Sequence, residues 1–302
     1  MVTGLGTKEQ FSEVGQGLLV RAPAKINLSL LIAGKRPDGF HEIETVMAKV
    51  NWYDELLFEA GEKNRIELVC KGPCWAPAGQ ANLVYQACKM LYESAGVRPG
   101  IKVTLTKNIP AGSGLGSASS DGAAALIGLN KFAKLEAREN ELFEMAARLG
   151  SDVAFFLGGP LAFCRGRGEK IKEIKEKFSF WAILVLPDVS VSTEKGYENY
   201  VHNQDLYDTL SREINNFIAE KKIDLLTQMC ANMLEKCCFE LHEELADLKS
   251  RIETLGIGPV CLSGSGVAMY CMVSDAEDVK HYQSMLKETV GCESVIVHNN
   301  RW

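Results

Sequence analysis

The residues of this chain best suited to chemistry gather in Asn108-Ile109-Pro110-Ala111-Gly112-Ser113-Gly114-Leu115-Gly116-Ser117-Ala118-Ser119-Ser120-Asp121. Glycines at 112, 114 and 116 let the backbone come close to a ligand, because no Cβ stands in the way. Serines 117, 119 and 120 add hydroxyls able to meet phosphate or a metal ion. Lys25 and Asn27, two residues apart, fall on one face of a strand and can address one ligand; the competing reading is a solvent-facing polar edge. Asp152 lies between a helix end and the apolar Ala154-Phe155-Phe156-Leu157, either as a reactive carboxylate or as the N-cap of a short helix. The glycine loop is not a Walker A loop, since no lysine follows Gly116. Nor is it a dinucleotide fingerprint, whose third glycine would stand where Ser117 does.

The elements around the loop say what it does. Ahead of it Ile101, Val103 and Leu105 alternate with Lys102, Thr104 and Thr106, the pattern of a half-buried strand. After it residues 122–130 are small and apolar and predict a buried helix. A strand therefore feeds a glycine loop that opens a helix, whose unpaired first-turn N–H groups favour an anion: a phosphate cradle. Arg21 to Ile32 predicts a strand with Ala24, Ile26, Leu28 and Leu30 on one face, and Glu42 to Val50 its hairpin partner. Between them the Pro37-Asp38-Gly39 turn presents Phe40 and His41. A helix runs from its cap Asn82 to Ala95, ended by Gly96, and another from Glu139 to Leu149, stopped by Gly150.

Strands follow at Leu161–Cys164 and Trp181–Leu186, then helices over Leu206–Lys221, Leu225–Cys237 and Glu240–Leu255. A second glycine loop, Ser263-Gly264-Ser265-Gly266, leads into the strand Val267–Val273. Ser274 and Glu277 form a capping box for a helix to about Val290, and Ser294–Val297 is a last strand. Strands and helices mixed without strict alternation indicate an α+β fold. A boundary near Lys177 divides it into 1–177 and 178–302.

The 302 residues have room for two cores, and 46% hydrophobic with 24% charged residues is an ordinary globular balance. The net charge of −6 argues against a nucleic-acid binder, which wants a basic face. None of the ten cysteines stands in C-x-x-C spacing, so they read as free thiols, several of them buried, in a reducing compartment. No apolar run approaches the ~20 residues of a membrane span. Residues 1–17 lack a signal peptide's apolar centre and read as a loose arm, so a cytoplasmic protein is expected.

Taken together these pieces resemble a known family. Pro110-x4-Leu115-Gly116-Ser117-Ala118-Ser119-Ser120 is similar to the central motif of the GHMP kinases, which phosphorylate small metabolites with ATP. Pro23-Ala24-Lys25-Ile26-Asn27-Leu28 and Leu262-Ser263-Gly264-Ser265-Gly266 resemble that family's first and third motifs. Arg36-Pro37-Asp38-Gly39-Phe40-His41 is similar to the R-x-D-G-[YF]-H segment of the branch acting on a diphosphocytidyl alcohol. Leu149-Gly150-Ser151-Asp152-Val153 and Gly166-Arg167-Gly168-Glu169 resemble its L-G-[AS]-D-V and G-x-G-E segments.

The resemblance implies two α+β lobes, a GHMP kinase fold, with the active site in the cleft between them. It implies Lys25 and Asp152 as the catalytic pair, and Pro110, Ala111, Gly112, Ser113, Gly114, Leu115, Gly116, Ser117, Ala118, Ser119 and Ser120 as the ATP phosphate loop. Asn82 and Lys107 match positions near the nucleotide. Asn27, Phe40, His41, Thr193 and Tyr197 match the diphosphocytidyl pocket, and Gly264 and Ser265 line the third loop. Mg2+ is implied with ATP, although no carboxylate set reads as a dedicated metal site. The expected partner is a small-molecule cytidine diphosphate alcohol, with no nucleic acid and no membrane, in a monomer or weak homodimer. Departures are Gly112-Ser113-Gly114 and Ser117-Ala118 where the family loop is often G-G-G-L-G-G-G-S-S, and Phe40 where tyrosine is common. The rival readings are a mevalonate- or homoserine-type GHMP kinase and a non-catalytic nucleotide-sensing module.

Overall fold

The computed structural model describes residues 7, 9–176, 178–189 and 193–302, without the side chains of residues 193 and 194. The alternating residues after Gly17 extend further than the sequence predicts, into two long antiparallel strands, β2 (Gly17–Lys35) and β3 (His41–Ala60). β2 follows β1 (Phe11–Val14), which pairs with it, so part of the expected loose arm is sheet. Next come β4 (Ile66–Lys71), β5 (Ile101–Thr106), β6 (Leu161–Gly166) and β7 (Lys170–Glu173). One half of β3 pairs with β5 and the other with β6, so a single strand carries two neighbours on one edge. The β2–β3 register shifts between Pro23 and Ala24 and between Asn27 and Ser29. Such bulges re-aim side chains, and these two flank Lys25 and Asn27. Both residues are buried, at 3% and 5% exposure, which rules out the solvent-facing edge.

Helices α1 (Leu83–Ala95), α2 (Ser117–Ala133), α3 (Glu139–Leu149) and α4 (Val153–Leu157) form the first core with this sheet. Gly96, left-handed at φ 63°, ends α1 as its sequence requires. α2 is buried from Ser120 to Leu129, which suits its run of alanine, leucine and isoleucine. A second sheet has the order β10 (Val260–Leu262), β11 (Met269–Val273), β8 (Trp181–Val185), β12 (Ser294–His298). Ala182, Leu184 and Tyr270 share a core with Ile26, Leu28 and Val46, so apolar packing joins the two sheets. Helices α5 (Thr193–Glu198), α6 (Gln204–Ala219), α7 (Ile223–Gln228), α8 (Glu235–Leu241), α9 (Glu243–Glu253) and α10 (Ala276–Met285) complete this half. Lys177, where the sequence places the boundary, lies outside the described residues.

The single helix expected over Leu225–Cys237 is in fact α7, the short strand β9 (Ala231–Asn232) and α8. Cys230 has a left-handed φ of 45° and forms a disulfide with Cys261, so two of the cysteines expected to be free are not. β9 pairs in parallel with Ser29 and Leu30 of β2, and the Asn232 amide donates to the carbonyls of Leu262 and Gly264 at 3.0 and 2.8 Å. Those ties reward an extended segment more than helix propensity rewards a continuous turn. The cap of α10 is Asp275, which accepts from the Glu277 N–H, and not Ser274 as the capping-box pattern suggests. No described helix is long and apolar enough to cross a membrane.

Candidate active site

Ile109 and Leu115, both fully buried, root the glycine loop in the core shared by the two sheets. Glycines 112, 114 and 116 all have positive φ, at 74°, 86° and 71°. Their surroundings differ. A Cβ on Gly114 would fall on the Ser263 carbonyl oxygen, and one on Gly116 would press on the Phe156 ring and the Lys25 stem. Only Gly112 has open space where its Cβ would be. Two of the three glycines therefore permit close packing of protein on protein, where the sequence suggested ligand approach throughout. The partner is the second glycine loop: Ser263 Oγ donates to Gly114 O at 3.1 Å, and the Ala268 N–H to Ser113 O at 2.9 Å. Gly116 occupies the N-cap of α2 and no side chain caps that end, so its first-turn N–H groups remain for an anion.

β2 brings Lys25 beneath this loop. Its N–H donates to Leu115 O at 2.9 Å, and its Nζ donates to Gly114 O at 2.8 Å and to Asn27 Oδ1. The Asn27 amide is oriented by donating to Thr45 Oγ1 at 2.8 Å, which donates in turn to Ser29 O. Asp152 Oδ2 lies 3.8 Å from Lys25 Nζ, and its side chain is 32% exposed. Burial lowers the Lys25 pKa from its ordinary value, with the Asp152 charge opposing. Asp152 does occupy the N-cap position of α4, but its side chain makes no capping bond and is left to the cleft.

The other end of α4 is held by Lys49, whose Nζ donates to Phe156 O at 3.1 Å and Gly158 O at 2.7 Å. Burial brings this lysine down from 10.5 to about 7, with Glu173 opposing. Between those values the unfolded chain binds the proton that the folded chain has lost, so this group makes stability rise with pH. The slope is at most ~1.4 kcal/mol per pH unit. Lys49→Met should flatten that rise between pH 7 and 9 in urea unfolding; an unchanged slope would show that Lys49 does not titrate there.

At the far end of β2 and β3, His41 stacks on Tyr197 with ring centroids 5.2 Å apart, and Tyr200 meets it edge-on at 6.1 Å. Burial, Lys35 and His202 lower the His41 pKa, which favours the neutral ring. Phe40 is 52% exposed, with the Arg167 guanidinium 4.8 Å from its ring centre. Phe40, His41 and Tyr197 line a cavity of about 760 Å³ that also reaches Ser151, Asp152 and Ser119. A second cavity, about 240 Å³, lies over the glycine loop and is lined by Lys25, Asn27, Pro110, Gly112 and the α2 N-terminus. The two share Ile43, Ser119, Asp152, Tyr197 and Ser265, and Gly264 lines the second. A larger cavity of about 840 Å³ by Pro160, Phe178 and Arg301 touches none of these residues.

Ser113, Gly114, Gly116, Ser117 and Ala118 also line the loop cavity. Other expected site residues lie elsewhere. Leu115 is core, and Ala111 is exposed but lines neither cavity. Asn82 is spent as the α1 cap, accepting from the Val84 N–H and donating to Pro77 O. Lys107 is 2% exposed and paired with Asp54 and Asp121 at 2.5 and 2.6 Å, beneath the loop instead of in it. Ser120 Oγ is buried without a hydrogen-bond partner. The Thr193 side chain lies outside the described residues. Residues not singled out from sequence include Ser263 and Thr45, which orient others, and Arg167, whose place between Gly166 and Gly168 was the available signal.

Comparison with known proteins agrees with this geometry. Residues 82–160 match the GHMP kinases N terminal domain, and residues 218–291 match the GHMP kinases C terminal. A 4-diphosphocytidyl-2-C-methyl-D-erythritol kinase of Bacillus cereus is 40% identical over 256 residues, 85% of this chain and 88% of that protein. A crystal structure of 4-(cytidine 5'-diphospho)-2C-methyl-D-erythritol kinase superposes with a TM-score of 0.75 at 29% identity, covering 94% of this chain and all of that one. The homoserine kinase of Cytophaga hutchinsonii superposes with a TM-score of 0.76 over 96% of each chain, but at 18% identity it shares the fold alone. With its glycine loop, its lysine–aspartate pair and relatives matched over most of their length, this chain belongs to the 4-diphosphocytidyl-2-C-methyl-D-erythritol kinase family of the GHMP kinases.

Proposed function

We propose that the protein transfers the γ-phosphoryl group of ATP to the 2-hydroxyl of 4-diphosphocytidyl-2-C-methyl-D-erythritol, a step in making isoprenoid precursors. The observation that carries this is the junction of the two cavities at Asp152, 3.8 Å from Lys25 Nζ. An alcohol is a poor nucleophile, and the Asp152 carboxylate accepts its proton as the new O–P bond forms. Lys25, 3.8 Å from that carboxylate, faces the charge of the moving phosphoryl group. The loop from Pro110 to Ser120, with the α2 N-terminus, holds the ATP phosphates, and Gly264 and Ser265 of the second glycine loop meet the alcohol substrate. Asn27 steadies Lys25, while His41, Phe40 and Tyr197 take the cytosine ring; Thr193 belongs to the same pocket by sequence position.

Mg2+ accompanies the nucleotide in this reading. Among the described residues no three His, Cys, Asp or Glu side chains gather as a metal site. Where the two cavities meet, the Asp152 carboxylate and the Ser119 hydroxyl would be the ion's protein oxygens. It would neutralise phosphate charge there. We assign residues 1–177 to the lobe that binds ATP and 178–302 to the substrate lobe; β1–β7 precede that boundary and the whole second sheet follows it. The working protein is a cytoplasmic monomer or weak homodimer with no nucleic-acid partner, in line with its net charge of −6.

The test is phosphorylation of cytidine diphosphate alcohols beside mevalonate and homoserine. Tyr197→Ala should raise KM for the cytidine substrate by ~5–150-fold, the value of one ~1–3 kcal/mol stack, and leave KM for ATP unchanged. Stacking cannot choose among bases, so His41→Ala should in addition narrow the preference for cytidine over uridine substrates. Wild-type KM and selectivity in both variants would displace the cytidine pocket and leave a kinase of another alcohol.

A further inference from the structure

Asp54, in the middle of β3, is fully buried and takes no part in either cavity. Its Oδ1 accepts the backbone N–H groups of Asn108 and Ile109 at 2.6 and 2.9 Å. Its Oδ2 accepts Lys107 Nζ at 2.5 Å and Ser117 Oγ at 2.9 Å. Three of these donors stand where β5 runs into the glycine loop, and the fourth is the first residue of α2, where the loop ends. One carboxylate thus spends both oxygens on the two ends of a single loop. Ser117 Oγ also lies 3.3 Å from Ile109 O, a second tie across the same gap.

Lys107 bridges this group to α2 through Asp121. Burial pulls Lys107 down, but Asp121 and Asp54 together outweigh it and leave it above its ordinary value. Burial pushes Asp121 up to about 8, with Lys107 opposing and Asp54 adding to the rise. Two carboxylates thus share one ammonium in a buried site. The partners of Asp54, two backbone N–H groups, an ammonium and a hydroxyl, all donate to it.

We propose that Asp54 is a positioning residue for ATP: by clamping Asn108, Ile109 and Ser117 it sets the gap across which the phosphate loop arches and the direction of the α2 N-terminus. The inference rests on the phosphate-loop reading above and adds a residue that never meets the nucleotide. A loop rooted at fixed ends presents its N–H groups already aimed, whereas a loose one must be ordered by ATP itself at the expense of affinity. Lys107 belongs to the same clamp, donating to Asp54 Oδ2 and to Ser117 Oγ from beneath the loop.

The test is a graded pair of variants in the full chain. Asp54→Asn keeps an oxygen for the Asn108 and Ile109 N–H groups but turns an amide donor toward Lys107; Asp54→Ala removes every acceptor. KM for ATP should rise ~10-fold in the first and ~10²-fold in the second, while KM for the alcohol stays within about twofold. A purely structural role would lower the melting temperature and the active fraction and leave KM for ATP where it was. Unchanged KM for ATP in folded enzyme therefore overturns the proposal. Lys107→Gln, which lines neither cavity and weakens the Oδ2 half of the clamp, decides the matter if neither Asp54 variant folds: a several-fold rise in KM for ATP supports the clamp, and wild-type KM overturns it. Failure of the wild-type protein itself to bind ATP would instead remove the phosphate-loop reading.

Discussion

Asp152→Asn is expected to lower kcat by ~10²–10⁴-fold while ATP still binds, because the amide keeps the size of the side chain and loses its basicity. The fold should barely notice. Asp152 is 32% exposed and makes no capping bond to α4, so little stability depends on its charge. The consequence falls on Lys25, whose pKa is lowered by burial and held up by the Asp152 charge. Removing that charge lowers the Lys25 pKa further. Whatever activity remains should then be lost at a lower pH than in the wild type, as the alkaline limb follows the lysine. Single-turnover rates and a pH profile check both parts. A variant with wild-type kcat would take Asp152 out of the chemistry and leave it a residue at a helix end.

Gly114→Ala should abolish useful ATP binding, with affinity down by ~10²-fold or more, since displacement of a positioning loop by about 1 Å is enough for that loss. The added Cβ would overlap the Ser263 carbonyl, so the glycine loop and the second loop must part. Parting breaks the bonds from Lys25 Nζ and Ser263 Oγ to Gly114 O. Gly112→Ala is the control. Its φ of 74° imposes a similar backbone strain, ~1–2 kcal/mol, but its Cβ would meet nothing within 4 Å. Calorimetric titration with ATP should show a modest loss at 112 and a collapse at 114. Equal losses would trace the effect to strain alone and deny that the two loops work as one surface.

Much of the site is legible in the sequence because its chemistry is local. Glycines 112, 114 and 116 between an alternating strand and an alanine-rich helix reveal a loop at a helix N-terminus without any tertiary knowledge. Lys25 and Asn27 read as a pair because a strand repeats every two residues. What the sequence does not carry is the direction in which each group faces. Gly114 and Gly116 look like room for a ligand and are room for Ser263 and Phe156. Lys107 matches a position near the nucleotide and is held by Asp54, whose setting in Asn51-Trp52-Tyr53-Asp54-Glu55 gives no hint that it is fully buried. β4 escapes notice because its burial does not alternate, and the break between α7 and α8 because its causes, Leu262 and Gly264 carbonyls and Cys261, lie some thirty residues on, further than any helix-propensity window reaches.

The short strand β9 has a bearing on how the protein is made. Ser29 and Leu30 of β2 pair with Ala231 and Asn232, and the same Asn232 holds the second glycine loop. A ribosome adding ~5–20 residues per second needs on the order of 10–40 s to travel the roughly two hundred residues between those partners. Throughout that interval the first half of the chain has its glycine loop and its lysine, yet the edge of β2 is unpaired and Lys25 lacks the cover of Ser263 and Gly264. The nascent chain therefore waits, with a sticky strand edge open to its surroundings, for a dipeptide that seals it. Translation speed across the intervening helices, and whatever chaperone meets the chain meanwhile, become part of what the β2 edge requires.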